Sequence, residues 1–167
     1  ETAKIPFLIS TGGLKSFEKD QLLNLLPKDR TILMHCVSSY PSQPNEQFLD
    51  TITEYVRNGF VTGFSTHENG FTASLISAAL GAKFIERHIT LSNASIGFDH
   101  GISMEPFELK ELALELRKQS QMMGKKNNLL DAEMGARYNY HCGVFLKRDI
   151  KKGEEILFND VYLQQPL

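Results

Sequence analysis

The chain has 167 residues, 41% of them hydrophobic and 23% charged, with a formal net charge of −2. That balance suits a globular chain long enough to bury a core, and it argues against a basic nucleic-acid-binding surface. No apolar stretch reaches bilayer-spanning length, so no membrane partner is expected and the cytoplasm is the expected compartment. Cys36 and Cys142 form neither a disulfide framework nor a CxxC pattern, and both are expected as reduced thiols.

Residues 5–10 (IPFLIS) are a short apolar run stopped by Thr11-Gly12-Gly13, the pattern of a buried strand and a tight turn. Ser16 is the expected N-cap of a helix over FEKDQLLNLL, with Phe17, Leu22, Leu25 and Leu26 inward and Pro27 as its stop. The same order then repeats. Residues 31–36 (TILMHC) predict a strand, 37–44 a polar loop, and 45–57 a helix with Phe48, Leu49, Ile52 and Val56 inward. Residues 61–66 predict a strand and 71–80 a helix ended by Gly81. Residues 83–88 (KFIERH) predict a strand, followed by a long loop. The longest helix is expected over 106–123, with Pro106 in its first turn and Leu109, Leu112, Leu116 and Met123 on one face.

Four βα units in succession predict an α/β fold with parallel strands. An open doubly wound sheet and one half of a (β/α)8 barrel both fit. After Gly124 the texture changes. Residues 125–142 read as a linker, and 143–167 as the opening of a small β-rich domain around Lys152-Gly153. Glu1 runs almost directly into a strand, and Gln165-Pro166-Leu167 stop where a strand or turn is opening. The sequence is therefore expected to be part of a longer one.

Polar groups collect just past each predicted strand: Ser10-Thr11, then Ser38, Ser39 and Tyr40, then Ser65, Thr66 and His67, then His88 and, further along, Asp99-His100. In a parallel α/β fold these positions share the rim that carries active sites. Hydroxyls beside glycines suit an anion, because small side chains let backbone N–H groups approach it. Two histidines on neighbouring strand ends suit one divalent cation. Taken singly, each has a structural alternative. His67 fits a solvated loop histidine, and His88 a core histidine satisfied at a strand end. Ser10, Ser38 and Ser65 fit helix caps, Asp99 an Asx turn, and Tyr40 loop packing. His35, within a strand, reads as structural. Glu68 beside His67 does not make a metalloprotease, since position 71 is Phe71 rather than histidine. The coincidence of polar groups at all four strand ends favours a functional rim.

HCVSSYP (35–41), GFSTHE (63–68), IERHITL (85–91) and GFDHGISMEP (97–106), with STGG (10–13) before them and RDIKKGEEI (148–156) after, resemble successive signatures of the sialic acid synthase family. The resemblance implies strands five to eight of a (β/α)8 barrel over residues 1–124, then a linker and the start of an antifreeze-like (SAF) domain, in a protein that forms a homodimer. It implies a synthase that condenses phosphoenolpyruvate with an N-acetylmannosamine-like amino-sugar aldehyde. His67 and His88 match the family's ligands to a divalent cation, Mn2+ or Mg2+. Ser10 and Ser65 match contacts to the phosphate of phosphoenolpyruvate, and Ser38 stands where some relatives have asparagine. Tyr40 and Asp99 match positions facing the sugar. One departure is HENG at 67–70, where many members read DHT around the histidine. Two other readings remain open: a different phosphoenolpyruvate–sugar condensation of the 3-deoxy-sugar-acid type, and a catalytically incomplete binding fragment.

Overall fold

The computed structural model describes residues 5–165. The expectation of a longer sequence rests partly on residues 1–4 and 166–167, which lie outside that range. The chain divides into two compact units, Glu1–Met123 and Gly124–Leu167.

In the first unit, β1 (Phe7–Ser10), α1 (Ser16–Leu25), β2 (Thr31–Cys36), α2 (Asp50–Arg57), β3 (Val61–Ser65), α3 (Thr72–Ala79), β4 (Phe84–Glu86) and α4 (Pro106–Met122) alternate along the chain. The four strands pair in parallel, in the order β1-β2-β3-β4. The expected α/β fold with a parallel sheet is therefore present. In register, Ser10 lies beside Met34, Met34 beside Gly63, and Gly63 beside Phe84.

Strand alternation divides the sheet into two faces. On one, Leu33 packs with Tyr55 and Phe60, joined by Ile9, Leu23 and Leu26. Phe64 on the same face packs with Ile52, Ala73 and Ala82, joined by Leu49, Leu80 and Ile85. Helices α1, α2 and α3 thus bury their apolar stripes on one side. Leu33, Ile52 and Phe64 are fully buried, each stabilising the fold by about 1.5–3 kcal/mol. The other face carries Leu8, Val61 and Phe84, all exposed. There the Met34 side chain lies over Gly63, where a Cβ would come within 2.2 Å of Met34 Sδ.

The elements depart from expectation in several places. Helix α1 begins one residue early: Lys15 is its cap, and its N–H donates to Glu18 Oε2 at 2.8 Å, so Ser16 is already helical. Its inward residues are Leu22, Leu23 and Leu26, while Phe17 and Leu25 are exposed. The helix expected over 45–57 is broken. Residues Pro44–Glu46 form a 3-10 turn, and α2 starts only at Asp50. Phe48 between them has φ +45°. The cause is the Gln47 carbonyl, which accepts from His35 Nε2 at 2.7 Å and is drawn away from the helical ladder. Phe48 and Val56 are exposed, and Tyr55 takes the buried position. The last strand is shorter than expected, so His88 stands two residues beyond it. On α4 Leu112 is buried, Leu109 and Met123 are exposed, and Pro106 occupies the first turn as expected.

In the second unit, residues 131–133 and α5 (Met134–Tyr140) are helical, within the stretch expected as linker. β5 (Gly143–Leu146) pairs antiparallel with β6 (Val161–Gln164). Arg148 joins the ends of this hairpin, with Nε donating to Asp160 Oδ1 at 2.7 Å and a 2.7 Å contact to Glu154. Arg148 and the Leu157 N–H hold the Asp160 carboxyl below the usual carboxylate range. Among the described residues, no helix is long and apolar enough to cross a membrane.

Candidate functional site

The rim of the first unit begins at the turn after β1. The Thr11 N–H and hydroxyl both donate to the Met34 carbonyl, at 3.0 and 3.1 Å, and the buried Tyr55 hydroxyl donates to Thr11 Oγ1 at 3.0 Å. This pins the turn to the core. Ser10 Oγ accepts the Gly12 N–H at 3.3 Å. A Cβ at Gly12 would lie 2.6 Å from Ser38 Oγ, so glycine is what allows Ser38 to approach the turn. Ser10 and Ser38 therefore flank Gly12 from adjacent strand ends. Neither caps its helix: Lys15 caps α1, and Leu49 precedes α2.

A second cluster lies past β3 and β4. The His67 and His88 rings are 5.2 Å apart, and the Tyr40 ring lies 3.9 Å from His67 and 6.2 Å, edge on, from His88. His67 is buried. Its Nδ1 faces the Val37 carbonyl at 3.1 Å. A carbonyl only accepts, so Nδ1 carries a hydrogen, and the tautomer this selects leaves Nε2 as the nitrogen that could bind a cation. His88 Nδ1 lies 3.7 Å from Asp99 Oδ2, both about two-fifths exposed. Asp99 has φ +64°, and its carbonyl accepts from the Ser103 hydroxyl at 2.6 Å. Partial burial, then the charges at Cys36, Asp99 and Glu86, push the Tyr40 phenol up, so it remains a hydroxyl donor.

Ser65 is bound elsewhere: its hydroxyl donates to Glu86 Oε1 at 2.8 Å. Ser65 and Glu86 are register neighbours on the face opposite the helices. Tyr40, His67, His88 and Asp99 thus come together, Ser10 and Ser38 form a separate pair, and Ser65 joins Glu86. His35 is structural, stacked 5.7 Å from Phe64. Burial pushes its pKa down, against the opposing hydrogen bond to Gln47.

Among the described residues, no group of three His, Cys, Asp or Glu side chains converges as a cation cage. The donor set is a pair of imidazoles. It fits a divalent cation that draws its other ligands from water or substrate oxygens. The carbonyl on His67 Nδ1 is the kind of partner that would orient an imidazole for ligation.

Sequence reasoning missed what lies behind the histidines. The Glu68 carboxylate accepts the Ala73 and Ser74 N–H groups, at 2.9 and 3.0 Å, and the Ser74 hydroxyl at 3.1 Å. Arg87 donates to Glu68 Oε1 at 3.3 Å and to the Glu68 carbonyl at 2.9 Å. Both side chains are buried, at 4% exposure for Arg87 and 9% for Glu68. The available signal was the charged pair Glu86-Arg87 at the end of an apolar strand.

The NeuB family profile matches residues 1–128. The chain belongs to the NeuB family, that of the sialic acid synthases. It is 34% identical to the human N-acetylneuraminate-9-phosphate synthase over 153 residues, covering 89% of the chain and 43% of that protein. It is 34% identical over 157 residues to the N,N'-diacetyllegionaminic acid synthase of Campylobacter jejuni, covering 88% and 46%. The crystal structure of the N-acetylneuraminic acid synthetase of Leptospira borgpetersenii, in complex with citrate, superposes with a TM-score of 0.69 at 30% identity, over 80% of this chain and 48% of that one. The chain spans about half the length of the curated relatives it matches.

Proposed function

We propose that this chain supplies the metal-binding half of a nonulosonic acid synthase, which condenses phosphoenolpyruvate with an N-acetylmannosamine-like amino-sugar aldehyde and releases phosphate. The convergence of Tyr40, His67, His88 and Asp99 on one rim carries this reading. Family membership and the polar strand ends support it.

The barrel reading is supported by three features of the sheet. Strand order follows chain order, helices α1 to α3 cover one face, and the other face is apolar and exposed. A doubly wound sheet reverses its strand order at a switch point, whereas successive barrel strands pair in sequence. On this reading Leu8, Val61 and Phe84 face a barrel interior, and the second unit opens an antifreeze-like domain.

His67 and His88 would hold Mn2+ or Mg2+, which supplies Lewis-acid polarisation of the aldehyde carbonyl. C3 of phosphoenolpyruvate bonds to that carbon, water adds at C2, and the C2–O bond to phosphate breaks to leave a 2-keto acid. Ser10 and Ser38, beside Gly12, would hold the phosphate, so that the two carbons meet in a reactive geometry, while Ser65, engaged by Glu86, stands apart from them. The Tyr40 hydroxyl and Asp99 carboxylate would orient sugar hydroxyls, and Asp99 would assist proton transfer.

The test is phosphate release by the whole protein with phosphoenolpyruvate, Mn2+ and N-acetylmannosamine. Release that requires both sugar and metal is expected, with a nonulosonic acid as product. Release only with other aldehyde sugars would move the protein to another condensation. No release with any sugar would contradict the synthase reading.

A further inference from the structure

Loops after two different strands must hold His67 and His88 at one separation, yet the two histidines share no direct bond. Their immediate neighbours in sequence do. Glu68 follows His67 and Arg87 precedes His88. The Arg87 guanidinium grips Glu68 twice, once at the carboxylate and once at the main-chain carbonyl. Oε2 of that carboxylate accepts the Ala73 N–H, and Oε1 also accepts the Ser74 N–H and hydroxyl, which ties it to the first turn of α3. The Thr66 N–H donates to the Glu86 carbonyl at 3.3 Å, so sheet pairing continues up to the histidines. On the far side, the His88 carbonyl accepts the Met104 N–H at 2.8 Å. Arg87 and Glu68 are thus the side chains that bridge the two ligand-bearing loops.

We propose that the buried Glu68–Arg87 pair is a positioning device that sets the spacing of His67 and His88 and so tunes their affinity for a divalent cation. This rests on the reading of the two histidines as ligands. A bidentate guanidinium fixes direction as well as distance, which a lysine ammonium does not. The first turn of α3 presents free N–H groups to the carboxylate and holds it against the helix. The buried Arg87 Nε has no partner, so the guanidinium is oriented by Glu68 alone among the described residues. Groups that orient metal ligands from behind typically change affinity by about 10–100-fold when removed.

The experiment is Mn2+ affinity by calorimetry on the whole protein, for wild type, Arg87→Lys, Glu68→Gln and His67→Ala. Phe60→Leu serves as control, because Phe60 is buried at the opposite end of β3 from His67. Arg87→Lys and Glu68→Gln, each checked for folding, are expected to bind Mn2+ about tenfold or more weakly. Phe60→Leu is expected to keep wild-type affinity despite lower stability. Unchanged affinity in folded Arg87→Lys and Glu68→Gln overturns the inference while leaving the metal reading intact. Wild type that ignores Mn2+, or that binds it equally well as His67→Ala, sinks both together. Should the variants not fold, amide exchange in wild type decides. Coupling is reciprocal, so Mn2+ must slow exchange at Ala73 and Ser74. No slowing there overturns the proposal.

Discussion

The two halves of the rim are built differently. Over β1 and β2 it consists of Ser10, Gly12 and Ser38, small and lightly bonded, on a turn pinned from below by Thr11 and Tyr55. Over β3 and β4 it consists of two imidazole rings, against which Tyr40 reaches across from the loop after β2, backed by a buried ion pair. An anion cradle needs only accessible N–H groups and hydroxyls on a fixed turn, because a phosphate can be met from many directions. A cation held by two imidazoles tolerates little error in their separation. On the proposed reading, the denser bonding therefore lies where the geometry is demanding.

Substitutions on the two sides should separate by size and by kind of effect. The largest is expected at His67→Ala, which should reduce metal-dependent turnover by about a thousandfold, roughly 4 kcal/mol of transition-state stabilisation. Near-normal turnover with bound metal would remove His67 from the site. Next is Glu68→Ala, which leaves Arg87 buried and unpaired. Denaturant unfolding should show a loss of about 3–5 kcal/mol, and a loss below about 1 kcal/mol would mean that water replaces the carboxylate. On the serine side, Ser38→Ala should raise KM for phosphoenolpyruvate by roughly fivefold, the worth of about one hydrogen bond, with stability unchanged within about 0.5 kcal/mol. An equal rise in KM for the sugar would blur the division between the two halves.

The smallest effect concerns His35, which belongs to neither half. Burial holds its pKa below the ordinary 6.5. As pH falls through 6.5 the unfolded chain takes up a proton that the folded chain resists, so this contribution is present above 6.5 and lost below it. The unfolding midpoint should therefore drop between pH 7.5 and 5.5. His35→Gln should flatten that slope, and an unchanged slope would assign it to other groups.

The βα alternation was readable because each apolar run ends in a turn signal, and the rim was readable because polar residues follow each strand. The break at Phe48 was not, since it depends on His35 taking the Gln47 carbonyl across 12 residues of chain. The pairing of Glu68 with Arg87 was hidden for a similar reason, although the charges ending the apolar strand at Glu86-Arg87 were in view. Nineteen residues apart, each looks like an ordinary surface charge until folding buries them against each other. Tyr55 was passed over for Val56 because a helix starting at residue 45 turns a different face inward from one starting at Asp50.

The central claim, that His67 and His88 together hold the cation, is tested most directly by electron spin echo modulation of Mn2+ bound to the whole protein. Coupling to two imidazole nitrogens is predicted, falling to one in His67→Ala and in His88→Ala. Bound Mn2+ with no nitrogen coupling would contradict the account.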